Sequence, residues 1–121
     1  MPIKGLSPVQ RTLRILRQRG FLVDIVERFS PYAGKYGKRI DTFHFIDLLC
    51  IAENKIIAIQ SCGSDFRKHD KKIIENEYAV EWLKAGGAIE LWGWRKVVKH
   101  RGLKQKVWSP RVKVYLLDNF K

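Results

Sequence analysis

Acid is what this chain has least of. Only 12 Asp and Glu stand against 24 Lys and Arg in 121 residues, giving a net charge of +12 and a pI near 10.0. That imbalance favours a polyanionic partner, with nucleic acid first and an anionic membrane surface second; a ribosome-associated protein carries the same signature. Cysteine is nearly as scarce. Cys50 and Cys62 are the only two, which excludes a disulfide-stapled fold and fits reduced thiols in a cytoplasmic setting. No apolar run reaches the length of a membrane span. The stretch from Met1 to Arg19 is basic and interrupted by Gly5 and Pro8, so no signal peptide is expected. Repeats and low-complexity tracts are missing, and His44, His69 and His100 lack metal-ligand spacing. No helix-turn-helix, zinc finger or RNA-binding sheet signature is visible. With 45% hydrophobic residues the chain has enough apolar mass for one domain spanning 1–121.

What is present centres on residues 43–62. Phe43 to Ala52 and Lys55 to Cys62 read as two apolar strands joined by the two-residue loop Glu53-Asn54, with Asn54 tolerating positive φ. In that register paired positions sum to about 107, so Asp47 faces Gln60 at the roughly 4.5–5.5 Å Cβ spacing of a cross-strand pair. A carboxylate and an amide oxygen that close could hold one hard cation; otherwise they form a cross-strand hydrogen bond. A buried Asp between Ile and Leu is costly without such a partner. The same parity puts Cys50 and Cys62 on opposite faces, so they do not pair.

Around the hairpin the pattern is α-β-β-β-α-β-β, an α/β fold with a central mixed β-sheet flanked by helices. Ser7-Pro8-Val9-Gln10 predicts a capped helix start, with the helix running from Pro8 to about Arg19 and stopping at Gly20. Val9, Leu13 and Leu16 form its apolar stripe. Residues 21–29 read as a strand and 30–40 as a basic, mobile loop with Pro31, Gly34 and Gly37. Ser64 is a candidate cap for a second helix over about 65–85, with Ile74, Tyr78, Ala79, Trp82 and Leu83 inward. Residues 88–94 read as a strand, 95–105 as a basic connection, and 111–117 as a last, partly exposed strand.

The cations fall into groups that suit phosphate contacts: Arg11 and Arg14 on the first helix, Lys35, Lys38 and Arg39 in the loop before the Asp strand, Lys68 and Lys71 on the second helix, and Arg95 and Lys96 after the third apolar run. Lys99, Arg101, Lys104 and Lys106 extend the last group. Each is otherwise a solvated charge. Trp92 and Trp94 share a strand face and read as core, with base stacking the alternative.

A helix, a strand, an Asp-bearing strand, a hairpin and a strand ending in acid-or-Gln, any residue, Lys resembles the core of the PD-(D/E)XK nuclease superfamily. Over roughly residues 7 to 94 the chain is similar to small Holliday-junction-resolvase-like and phage or restriction-type nucleases. The resemblance implies a restriction-endonuclease-like core and a metal-dependent DNA endonuclease hydrolysing phosphodiester bonds, with branched or structured DNA a candidate substrate. It also implies a homodimer, Mg2+ or Mn2+ held by Asp47 and Gln60, and a virus or mobile element as a source. Glu27 is a further metal-ligand candidate, with a solvated strand-end acid as the alternative. Asp41, six residues before Asp47, reads first as a turn acid. The family's lysine position falls on Cys62, so another lysine must take that role. Lys72 on the second helix is the candidate, ahead of Lys68 and Lys71. Cys62 also supports a rival: a catalytically inactive nuclease-like protein that binds nucleic acid.

Overall fold

A computed structural model describes residues 5–102 and 104–120. Helix α1 (Pro8–Gln18) starts as its sequence dictates: the Ser7 hydroxyl accepts from the Gln10 amide at 3.2 Å, and Pro8 occupies the first turn. Arg19 closes it and Gly20 turns the chain out at φ 86°. Among the described residues seven strands follow: β1 (Leu22–Ile25), β2 (Arg28–Ser30), β3 (Lys38–Ile40), β4 (Leu48–Ala52), β5 (Lys55–Cys62), β6 (Ala88–Val98) and β7 (Lys106–Tyr115). Helices α2 (Phe66–Ile74) and α3 (Glu77–Lys84) lie between β5 and β6, and a 3-10 turn covers Leu117–Phe120.

Five strands form one mixed sheet in the order β1-β4-β5-β6-β7, and β2 and β3 form a separate ribbon. The β5–β6 pair is parallel and the others are antiparallel. Helix α1 covers one face, where Leu13 and Leu16 pack with Val23, Leu48, Cys50 and Ile59. Helices α2 and α3 cover the other, where Ile73 and Ala79 meet Ala58, Cys62, Ile89 and Leu91. Cys50 and Cys62 therefore lie on opposite faces, both free and buried. Gly93 in β6 lets Phe66 seat: a Cβ there would overlap the phenyl ring. The start of α2 is thereby pressed onto the sheet. Tyr115 Oη and Lys113 Nζ on β7 fix the same helix through Asp70 Oδ1, at 2.6 and 2.9 Å.

Several boundaries differ from the sequence expectation, each for a physical reason. The strand expected over 21–29 breaks at Val26 and Glu27, because their amides turn to the Asp47 carbonyl at 2.9 and 3.4 Å instead of extending a ladder. The loop expected over 30–40 contains the β2–β3 hairpin, with Arg28 opposite Ile40 and Ser30 opposite Lys38. The strand expected from Phe43 begins only at Leu48. Phe45 and Ile46 are fully buried in a loop, so an apolar run signalled core without signalling strand. In the hairpin loop Glu53, not Asn54, takes the left-handed conformation, at φ 39°.

The helix expected over 65–85 is two helices. Asn76 breaks it by capping α3 with its side chain, which accepts from the Tyr78 amide at 2.8 Å. Of the expected inward face, Ala79 is buried and Ile74, Trp82 and Leu83 pack against the same core; Ile73 joins them, whereas Tyr78 is 44% exposed. Asp65, not Ser64, holds the cap position of α2. Strand β6 runs to Val98 and β7 starts at Lys106, so residues 95–98 of the expected connection are strand and the connection narrows to 99–105. Pro110 is tolerated because β7 is an edge strand. Strand β7 ends at Tyr115, leaving Leu116 and Leu117 outside it. No helix among the described residues is long and apolar enough to cross a membrane.

Candidate metal centre

The β4–β5 register keeps the expected sum: Leu48 faces Ile59 and Ala52 faces Lys55. Asp47 lies one residue before β4, at a bend, and is 3% exposed. Its carboxylate nevertheless meets Gln60, as that register requires. Asp47 Oδ2 accepts from Gln60 Nε2 at 2.5 Å and from the Ser61 amide at 2.8 Å. Ser61 thus takes part through its backbone N–H.

Asp41 joins them by a route that strand reasoning could not supply. Thr42 and Ile46 form an isolated antiparallel bridge closing a three-residue loop, so Asp41 and Asp47 are the next pair outward. Phe43 and His44 in that loop take positive φ, 52° and 67°, a conformation that costs about 1–2 kcal/mol for a residue with a Cβ. The loop is tied at both sides to resist this strain. Thr42 Oγ1 donates to the Val26 carbonyl at 2.7 Å, and Asn76 Nδ2 donates to the Phe43 carbonyl at 3.0 Å.

Glu27 arrives from the β1–β2 break, held by its own amide on the Asp47 carbonyl. Glu27, Asp41 and Asp47 each bring a carboxylate oxygen within 4.8 Å of the others. Lys72 reaches over from α2: its Nζ lies 3.0 Å from Asp41 Oδ2 and 3.3 Å from Gln60 Oε1. Arg39 from β3 lies 3.4 Å from Glu27 Oε1. Two sequence rankings change here. Asp41 is a full member of the cluster and not a remote turn acid. Gln60, as seated, presents its donor to Asp41 and Asp47 and its oxygen to Lys72, so the oxygen donors that converge are the three carboxylates.

Electrostatics match this crowding. Burial pushes the Asp47 carboxyl up to about 8, and the hydrogen bond and charge of Asp41 reinforce the shift. Burial also works against ionisation of Asp41, but hydrogen bonds from Asp47 and Lys72 outweigh it and hold that carboxyl below the usual range. Burial, then the Asp41 charge, raise Glu27. The cluster therefore keeps a proton between Asp41 and Asp47 at neutral pH. Three carboxylates gathered within 4.8 Å form an all-oxygen donor set that could hold a hard divalent cation.

Cys62, at the expected lysine position, is 3% exposed among apolar side chains, and burial lifts its thiol to about 11. It is an inert core residue. Lys72 is the lysine that reaches the acids, through Asp41. Of its neighbours, Lys71 lies within 3.9 Å of Glu75 on the surface, while Lys68 and Lys71 make no contact with the acids. Ser61 faces α1: its Oγ donates to Thr12 Oγ1 at 2.8 Å, as does Trp94 Nε1 at 2.8 Å, and Thr12 donates to the Pro8 carbonyl at 2.9 Å. Sequence reasoning missed this Thr12 junction, because a Thr in a helix carries no signal of what will face it.

The other cations are spread over distinct surfaces. Lys38, Arg39 and Lys72, with His44 and Asp41, line an open groove of about 400 Å3 beside the acids. Arg11, Arg95 and Lys96 meet at a second groove of about 300 Å3 with Ser64, Trp94 and Trp108. Arg11 stacks 4.1 Å from the Trp108 ring centre. Lys35 lies over Tyr36 in the β2–β3 turn. Arg14 stands apart, with Arg17, on the exposed side of α1. Trp92 and Trp94 are buried in the core, as expected. No family model, curated protein or solved structure matches this chain.

Proposed function

We propose that this protein is a metal-dependent nuclease with a restriction-endonuclease-like core, cutting phosphodiester bonds in DNA. The observation that carries the reading is the convergence of Glu27, Asp41 and Asp47 within 4.8 Å with Lys72 at 3.0 Å from Asp41, beside a groove bordered by Lys38 and Arg39. The parallel β5–β6 pair with its helical crossover supports the fold assignment, since ligand sites of such sheets lie beyond the carboxyl ends of the strands. Gln60 and Ser61 stand at that end of β5.

Each residue then has a task. Glu27, Asp41 and Asp47 would hold Mg2+ or Mn2+, with Gln60 fixing the two aspartates. A bound divalent ion supplies a Lewis acid for the phosphoryl oxygens and an acidified water. Lys72 carries the positive charge that faces the scissile phosphate, taking the role that Cys62 leaves open. Lys38 and Arg39 seat the neighbouring phosphates. Symmetric cutting of a branched substrate requires two copies, so a homodimer belongs to this reading; light scattering reports it.

The test is direct. Plasmid, linear duplex, single-stranded and four-way-junction DNA are incubated with Mg2+, Mn2+ or chelator. Metal-dependent cutting that disappears in Asp47→Ala and Asp41→Ala supports the enzyme. Binding by the wild type with no cutting of any substrate overturns it in favour of a nuclease-like binding protein, the reading that the buried Cys62 favours.

A further inference from the structure

Strand β6 pairs with β5 only from Ala88 to Gly93, yet it continues to Val98 paired with β7 alone. Residues 94–98 and 106–110 therefore form a two-stranded arm that leaves the sheet beyond the carboxyl end of β5. Gln60 lies at that same end, opposite Leu91. Strand β1 pairs antiparallel to β4, and β4 antiparallel to β5, so β1 also ends there and feeds the β2–β3 hairpin. Two hairpins thus leave one end of the sheet, on either side of the acidic cluster.

Their composition is one-sided. Residues 28–40 and 94–111 together hold 11 of the 24 Lys and Arg and none of the 12 acids. In the longer arm the cations lie on both faces. Lys96 opposes Trp108 and Val98 opposes Lys106 on one face; Arg95 opposes Ser109 on the other, which Lys99 continues. A ribbon docked on a flat surface would need charge on one face only. Charge on both faces suits a ribbon with a line of phosphates on each side, and the major groove of B-form DNA, about 12 Å wide, admits a two-stranded ribbon. The base of the arm is anchored: Trp94 is buried and bonded to Thr12, and Trp108 lies between Arg11 and Lys96, at 4.1 and 5.3 Å from its ring centre. Strands β1 and β6 are three places apart, so the two hairpins start about 15 Å from each other at roughly 4.8 Å per strand. A single strand offers one line of phosphates across that span and a duplex offers two.

We infer that the β6–β7 arm is a duplex-gripping element that enters the major groove of B-form DNA while the β2–β3 hairpin holds the backbone across the acidic site. The inference rests on the nucleic-acid reading above and defines the substrate as double-stranded on at least one side of the cut. The test measures binding in chelator, so it is independent of whether the protein cuts. A labelled DNA duplex, the matching single strand, an RNA duplex and phosphatidylserine vesicles are titrated against the wild type and against the fourfold variant Lys99→Gln, Arg101→Gln, Lys104→Gln, Lys106→Gln. All four side chains are exposed, so the unfolding midpoint should not move. A second variant replaces 99–105 with Asn-Gly, which closes the ribbon at the Val98–Lys106 pair. Both variants should lose at least tenfold in affinity for the DNA duplex, with little change for the single strand. The salt slope should fall by about 3.6 in the fourfold variant and about 2.7 in the shortened one, since each lost phosphate contact removes about 0.9. Dimethyl sulfate protection of guanine N7, which reports the major groove, should vanish with the arm. Unchanged duplex affinity, an equal loss on single strands, or a preference for RNA duplex or vesicles overturns the arm. Arm-dependent duplex binding by a protein that never cuts overturns only the nuclease.

Discussion

Replacing Asp47 with Asn should make the protein more stable at neutral pH while removing any metal-dependent cutting. In the folded chain the Asp47 carboxyl is protonated up to about 8, first because it is buried and then because Asp41 faces it. In the unfolded chain it ionises near the ordinary aspartate value of about 3.9. A raised carboxyl of this kind is neutral to stability below the unfolded value, and stability is lost as pH rises from there to the folded value. At pH 7 about three pH units of that loss have accrued, so the buried carboxyl costs up to about 4 kcal/mol. Asparagine has the same shape. Its Oδ1 can accept from the Ser61 amide and Gln60 Nε2, and its Nδ2 can donate where the Asp47 proton faces Asp41. Allowing about half for relaxation, Asp47→Asn should gain about 2 kcal/mol at pH 7 in chelator, close to 8 °C in midpoint for a chain of this length. Urea melts from pH 5 to 9 should show the wild type losing stability up to about 8 and the variant nearly flat. A wild type that is flat between pH 5 and 8, or a variant no more stable at pH 7, refutes the shared-proton account of the cluster.

The remaining predictions concern the cation, the lysine and the floor of the site. Mn2+ should raise the wild-type unfolding midpoint more at pH 8 than at pH 6, since ligation must displace the Asp47 proton; at a hundredfold excess over Kd the gain is about 2.7 kcal/mol, and Asp47→Asn should lose most of it. Lys72→Met should lower cutting about 100-fold or more while changing stability by less than about 1 kcal/mol, because its ion pair with Asp41 is partly exposed; cutting rates and urea melts separate the two effects. Thr12→Val should cost about 2–4 kcal/mol in urea melts, because the buried Ser61 hydroxyl and Trp94 indole N–H both lose their acceptor.

The hairpin was legible because its register follows from a two-residue loop and a parity count. Asp47 duly meets Gln60, although Asp47 lies outside the strand it was assigned to. Lys72 was legible as the one cation of its group beside Ile73, which is fully buried. Periodicity could not show the turns. Apolar residues at 45 and 46 look the same whether a strand or a tight loop buries them, and the positive φ of Phe43 and His44 runs against residue preference. The β6–β7 arm was hidden for the opposite reason. Its alternation is carried by Lys, Arg and Val, so charge masked a ladder that backbone pairing sustains.

The acids that sequence patterns ranked lowest are placed by those illegible turns. Glu27 is set by amides leaving the β1 ladder for the Asp47 carbonyl, and Asp41 by a bridge that bends two residues into left-handed conformations. A strand would have spread acids six residues apart over about 20 Å at roughly 3.3 Å per residue; the loop gathers them to within 4.8 Å. Bringing like charges together through strained backbone opposes folding twice, once in conformation and once in electrostatics. Nothing in the apolar core requires it, since Phe45 and Ile46 could be buried without carboxylates on both sides of their loop. Cation binding, as proposed above, would account for an arrangement that the core does not need. The predicted stability gain of Asp47→Asn therefore measures how far the fold is held away from its own optimum by that site.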